Sequence, residues 1–163
     1  MYGIIERKIN VDLTCNKTMR IILYDDQYKS QMLSMITEAR IALGLSPSIR
    51  EDLYDVKANY LDKGDMFWLA IEEDNSVIGC LGYSRINKSN EAFLHRFYVK
   101  ASRKHQGIGT ALLFTAEKTM KNNEITVSRV HLGASKEQWF ESYAFYPKNG
   151  YEEYEPRYMI KHL

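Results

Sequence analysis

Residues 91–121 constrain this chain more than any other stretch, because an extended pattern there gives way abruptly to a helical one. Phe93 to Val99 is an aromatic and β-branched run that reads as a strand; a basic loop follows, and Gly107-Ile-Gly109 opens a helix. Ile108, Leu112, Ala116 and Met120 recur at i+4 spacing and give that helix one apolar stripe, with Lys118 and Lys121 turned to water. The first turn of any helix leaves backbone NH groups without partners and gathers partial positive charge. Glycines at 107 and 109 remove side chains that would hold an anion away from those amides, and Arg103, Lys104 and His105 add charge beside them. The pattern reads as an anion cradle, with a plain strand-to-helix turn as the other possibility. The third glycine of a dinucleotide fingerprint would fall at Leu112, and no Gly-Lys-Ser or Gly-Lys-Thr supports a P-loop.

Leu94-His-Arg-Phe-Tyr-Val99 followed by Lys104-His-Gln-Gly-Ile-Gly109-Thr-Ala-Leu-Leu resembles the central motif of the GNAT superfamily of acyl-CoA-dependent N-acyltransferases. Phe145-Tyr146-Pro-Lys-Asn-Gly150-Tyr151 is similar to that superfamily's Phe-Tyr-x-x-x-Gly-Phe element, and Met159-Ile-Lys161-His-Leu163 to its last strand. The resemblance runs from about Met19 to the end and implies one α/β (α+β) domain over residues 19–163. Its sheet would be mixed, mostly antiparallel and twisted, of about seven strands with about four helices on its two faces, splayed between strands 4 and 5.

Composition narrows the classes. The 163 residues, 45% hydrophobic and 26% charged, suit one globular core. A net charge of +1 gives no general attraction to nucleic acid or anionic membrane. No leading basic segment with an apolar run stands out, and the longest apolar stretch, Met66 to Ile71, is too short for a bilayer; the expectation is a cytoplasmic protein. Cys15 and Cys80 make no disulfide framework, and Cys80 reads as a small buried residue. His95, His105, His131 and His162 show no ligand spacing, so no metal is expected.

Along the chain, residues 1–18 form an N-terminal extension in which Ile9, Val11 and Leu13 alternate with polar residues, an expected extra strand for a sheet edge of this subunit or of a partner. Arg20 to Tyr24 reads as a strand, and Tyr28, Met32, Ile36, Ala39 and Leu43 as the stripe of a helix stopped by Gly44. A second helix is expected from the capping box Ser48-Ile-Arg-Glu51 to Gly64. The resemblance puts this helical pair beside an acceptor site, within possible reach of Arg40, Arg50, Asp52, Tyr54 and Asp55, although each also reads as plain surface. Met66 to Glu72 and Val77 to Ile86 form a hairpin around Glu73-Asp-Asn-Ser76, with Trp68 in the core.

In the strand that follows, Ala92 and Leu94 share one parity and Phe97 and Val99 the other. A continuous apolar face therefore needs one extra residue, a β-bulge near His95 or Arg96. Thr126 to Gly133 reads as the next, parallel strand. A capping box at Ser135-Lys-Glu-Gln138 starts a helix carrying Trp139, Phe140, Tyr143 and Tyr146 that Pro147 is expected to end or kink; Tyr151 to Tyr154 and Tyr158 to His162 close the sheet.

The resemblance implies acetyl-CoA as cosubstrate, a primary amine as acceptor and direct attack on the thioester. An amine with a pKa near about 10.4 must lose a proton, for which His95, Glu91, Glu72 and Glu73 are candidates. Charge on the carbonyl oxygen needs prearranged donors, expected from the backbone at Phe97, Tyr98 and Val99. The leaving thiolate needs a weak acid, and by resemblance that acid is Tyr146. The resemblance also places the pyrophosphate on Lys104, His105, Gln106, Gly107, Ile108, Gly109 and Thr110, beside Arg103. Lys104 stands where the superfamily usually has Arg or Gln, so backbone amides must carry more of the recognition. The acceptor is not legible. A non-catalytic acyl-CoA-binding module and a protein or peptide acetyltransferase remain alternatives, and a homodimer is expected from superfamily habit and the spare strand.

Overall fold

A computed structural model describes residues 18–163; the alternation at residues 9–13 and Cys15 lie outside the described residues. Seven strands form one sheet in the order β1-β2-β3-β4-β5-β7-β6. They are β1 (Met19–Leu23), β2 (Met66–Glu72), β3 (Val77–Arg85), β4 (Glu91–Val99), β5 (Val127–His131), β6 (Glu152–Glu155) and β7 (Tyr158–His162). Among these described strands only the β4–β5 pair is parallel, as expected for strands joined through the crossover helix α3 (Ile108–Asn122).

The helices sort onto two faces by the parity of the strands beneath them. On one face Met32 and Ile36 of α1 (Lys29–Ala42) share a core with Phe67, Leu69 and Ile71 of β2. On the other, Ile108, Leu112 and Met120 of α3 share a core with Trp68 and Ala70 of the same strand and with Leu81. A strand covered on both sides has no polar face to show, which is why Met66 to Ile71 reads as an unbroken apolar run. Trp68 is core, as expected, with its ring 5.8 Å from that of Tyr83. Cys80 is fully buried, and burial pushes its thiol up to about 12, which suits packing and not nucleophilic chemistry.

Two expected helices are revised. The capping box at Ser48 does not form, and residues 51–63 are two 3-10 turns around one α turn, α2 (Val56–Asn59), capped by Asp55, which accepts from the Ala58 amide at 2.9 Å. The box at Ser135 does not begin a helix either. The Ser135 carbonyl accepts from the Gln138 and Trp139 amides in a turn, and α4 (Phe140–Lys148) starts afterwards.

Pro147 does not end the helix at its own position; α4 runs one residue further, to Lys148. A proline in the last turn forfeits one ladder bond, and the end is secured another way. Gly150 sits at φ 85°, its amide donates to the Pro147 carbonyl at 3.0 Å, and the Tyr151 amide donates to the Tyr146 carbonyl at 3.1 Å. This is a Schellman close, and its usual apolar contact is present, with the Tyr146 and Tyr151 rings 5.3 Å apart. The helix end thus fixes where Tyr146 stands. Gly150→Ala forces a side chain into the left-handed region and is expected to destabilise the protein by about 1 kcal/mol. A chemical-denaturation midpoint equal to wild type would show that the close does not depend on glycine.

Candidate active site

The amide cradle is built by the loop that enters α3. His105 at φ 60° and Gly107 at φ 79° turn the chain sharply, and Gly107 caps the helix without any side-chain hydrogen bond. The first ladder bond runs from the Ala111 amide to the Gly107 carbonyl at 3.0 Å, so the amides of Ile108, Gly109 and Thr110 precede any helical acceptor. They open onto a cleft of about 640 Å³ between β4, α3 and α4. A methyl group built on Gly109 would meet only ordinary contacts, Phe145 at 3.5 Å and Phe97 at 3.6 Å. Packing therefore does not demand glycine there; the missing side chain leaves room in the cleft instead.

All the residues expected to hold an anion line this cleft except Tyr98 and Gln106. Alternation along β4 puts Tyr98 on the opposite face, where its hydroxyl accepts from Arg40 at 3.3 Å. The basic side chains are already engaged. Arg103 pairs with Glu72 at 2.5 Å, Lys104 pairs closely with Glu141, and His105 lies 3.5 Å from the same carboxylate. Lys104 and then His105 hold the Glu141 carboxyl below its usual range although partial burial opposes them. Phe140, Glu141, Ser142 and Lys148 also line the cleft and were not anticipated. The helical spacing of Ser142 to Tyr146 and Glu141 to Phe145 could have found two of them.

Tyr146 is 4% exposed, its side chain lines the cleft, and its hydroxyl has no hydrogen-bond partner among the described residues. Burial alone raises its pKa strongly, so it holds its proton through the neutral range. Phe97 and Phe145 stand edge-on to it, with centroids at 6.3 and 5.4 Å.

The expected bulge is present and falls at Arg96. Cys80 pairs with Tyr98 but Gly82 with His95, so β4 spends one residue more than β3 across this interval, and Arg96 takes φ 53°. The β4–β5 ladder ends at Phe93↔Arg129, after which the two strands part. The Lys100 amide donates to the Ile78 carbonyl at 2.8 Å, so alternation turns the Val99 amide to the other edge, toward the gap.

His95, one residue before the bulge, lies across the sheet from Tyr146. It is partly buried, its Nε2 is 2.7 Å from Ser84 Oγ, and its ring is 6.4 Å from that of Tyr60. Burial first, and then the Arg96 charge, lower its pKa, while Asp52 opposes them weakly. The acidic candidates are placed less favourably. Glu72 is bound to Arg103, Glu73 sits in the β2–β3 turn accepting from Thr18, and Glu91 is paired with Arg129 at 2.5 Å at the far end of β4; neither Glu91 nor His95 lines the cleft.

Comparison with known proteins agrees with this geometry. The sequence model of the Acetyltransferase (GNAT) family matches residues 31–151. A spermidine N(1)-acetyltransferase from Thermoplasma acidophilum is 34% identical over 88 residues, 54% of this chain but only about half (52%) of that protein's length. Among solved structures, a GNAT-family acetyltransferase from Staphylococcus aureus Mu50 superposes with a TM-score of 0.79 at 23% identity, covering 90% of this chain and 99% of that one. The PaiA N-acetyltransferase from Thermoplasma acidophilum, solved with coenzyme A, gives 0.69 at 23% identity over 90% and 99% of the two chains. With the family's sequence model spanning β2 to β5, the cradle and the Tyr146 helix, this chain belongs to the GNAT acetyltransferase family.

Proposed function

We propose that the chain is an N-acetyltransferase that moves an acetyl group from acetyl-CoA to a primary amine by direct attack on the thioester. The observation that carries this reading is the uncapped first turn of α3 opening onto the same cleft as an unpartnered tyrosine hydroxyl. The amides of Ile108, Gly109 and Thr110 suit a diphosphate, and the cleft's room and its Phe97 and Phe145 walls suit a pantetheine arm. Acetyl-CoA supplies an acyl group on a good leaving thiol. In this reading the gap-facing Val99 amide meets charge developing on the carbonyl oxygen, Tyr146 gives its proton to the departing sulfur, and His95, neutral at pH 7, takes the amine's proton. His95 would work from the opposite face of the sheet, the face of α1 and the turns after it. The likeness to a spermidine acetyltransferase makes polyamines the first acceptor class to test.

Isothermal titration with acetyl-CoA, followed by thiol release across a panel of polyamines and other amines, tests the whole reading. No binding overturns it, and binding without release for any amine replaces it with an acyl-CoA-binding module. Gly109→Ala is expected to fold normally yet bind more weakly, and Gly109→Val to raise the acetyl-CoA dissociation constant by more than about tenfold, since each fills the space before the amides. An unchanged constant in both would mean the ligand lies elsewhere. Tyr146→Phe is expected to lower kcat by about 100-fold while acetyl-CoA affinity stays within about twofold.

The pH profile follows from the sign of the His95 shift. The imidazole environment, made by burial, Arg96, Asp52, Ser84 and Tyr60, favours the neutral form. A base is active when neutral, so kcat at saturating amine is expected to fall only below pH 6.5, the ordinary imidazole value. His95→Gln should remove that limb. A limb that survives the substitution assigns the proton to another group.

A further inference from the structure

Arg96 is a residue with a side chain in a conformation that favours glycine, φ 53°, at the point where β4 carries its extra residue. Something outside the strand must hold it there. Two contacts reach it, the Cys80 thiol of β3, which donates to the Arg96 carbonyl at 3.2 Å, and the Asp52 carboxylate on the Arg96 side chain. Arg96 Nε approaches both carboxylate oxygens of Asp52, Oδ2 at 2.9 Å and Oδ1 at 3.2 Å, and its terminal nitrogen Nη2 reaches Oδ1 at 3.0 Å. Tyr60 donates its hydroxyl to Asp52 Oδ2 at 2.6 Å. Tyr60 is buried against Phe67 of β2, with rings 5.1 Å apart, so the carboxylate is anchored to the sheet as well as to the turn that carries it. Asp52 itself does not line the cleft, and it lies 44 positions from Arg96 in sequence.

We propose that Asp52 is a positioning residue for acyl transfer: its clamp on Arg96 keeps β4 bulged, and so keeps the Val99 and neighbouring amides aimed into the gap that β5 leaves. The proposal rests on the acyl-transfer reading above. It also ties the turn at residues 51–55, on the α1 face, to the amides on the reacting edge of the strand. Burial by itself would raise the Asp52 carboxyl, yet the Arg96 and Tyr60 hydrogen bonds hold it below the usual range, as a clamp ionised throughout the working pH requires.

The test is a double-mutant cycle on the full chain. Asp52→Asn is expected to lower kcat by about tenfold, less than outright loss of an oxyanion donor, with the acetyl-CoA dissociation constant within about twofold of wild type. Arg96→Gly adopts the left-handed backbone without a Cβ penalty and has no guanidinium to hold, so adding Asp52→Asn to it should change kcat no further. Equal losses in both backgrounds would mean that Asp52 touches the acceptor directly, and wild-type kcat in Asp52→Asn would mean that the clamp is idle; either result overturns the proposal. Amide NMR gives a readout that needs no amine substrate. Asp52→Asn should shift the Phe97 to Val99 amide signals and leave those of Gly107 to Thr110 in place. Unmoved Phe97 to Val99 signals defeat the clamp, whereas wild-type protein that releases no thiol defeats only the transferase reading. If Asp52→Asn does not fold, Tyr60→Phe, which removes one of the two holds on the carboxylate, is read in its place with the same shifts expected and the same null result fatal.

Discussion

One extra residue in one strand sets the geometry of the β4 wall of the cleft. Side chains alternate along a strand, so without the bulge at Arg96 the residues after it would turn over, and Phe97 and Val99 would point to the α1 face. Phe97 would then lose its edge contacts with Phe145 at 5.6 Å and Tyr146 at 6.3 Å. The wall of the cleft would go with it. The parting from β5 begins three residues before the bulge, where the ladder ends at Phe93↔Arg129, so the bulged half of β4 is the half with one bare edge. A strand edge left unpaired inside a domain is normally a defect; beside a cleft it is a row of donors already in place.

The anion cradle depends less on side-chain charge than its basic loop suggests. Arg103 and Lys104 each hold a carboxylate, Glu72 and Glu141, at close range, so the charge they add is largely balanced locally. Such pairs contribute little to stability where they are partly exposed, but they restrain a loop with His105 and Gly107 both at positive φ. The amides are the part with nothing else to bind. Fixed dipoles need no rearrangement when an anion arrives, and a planar guanidinium is not needed where backbone groups make the contact. That is a physical reason for lysine to be tolerated at position 104.

Local pattern made much of this legible from the sequence. The change of period around residue 100, the parity break between Leu94 and Phe97, and the Asn149-Gly150 turn each leave a mark within a few residues, and each corresponds to a strand, bulge or helix close in the fold. What stayed hidden joins distant positions. Arg96 and Asp52 are 44 residues apart, and Lys104 and Glu141 are 37 apart, so no periodicity links them. Asp52, read as plain surface, is the residue that grips the bulge. Two local rules were overruled by tertiary context. Ser48-x-x-Glu51 gave no helix where the chain bends so that Asp52 and Tyr60 reach β4, and Pro147 was absorbed into α4 because the Schellman close outweighs one lost bond.

The two candidate proton carriers stand on opposite faces of the sheet, and burial acts on them in opposite senses. Desolvation always disfavours the charged form. For Tyr146 that form is the phenolate, so burial keeps the proton on, and the hydroxyl has no hydrogen-bond partner among the described residues. For His95 the charged form is the imidazolium, so burial, helped by the Arg96 charge, keeps the proton off. A single physical cause thus leaves one group loaded and the other empty at neutral pH. Asp52 bears on both sides of the sheet: it holds the bulge on which the Phe97 contact with Tyr146 depends, and it steadies the guanidinium whose charge discourages protonation of His95, although its own charge acts the other way. The two candidate proton carriers and the bare strand edge between them therefore share one structural support, the pairing of a carboxylate with the extra residue of β4.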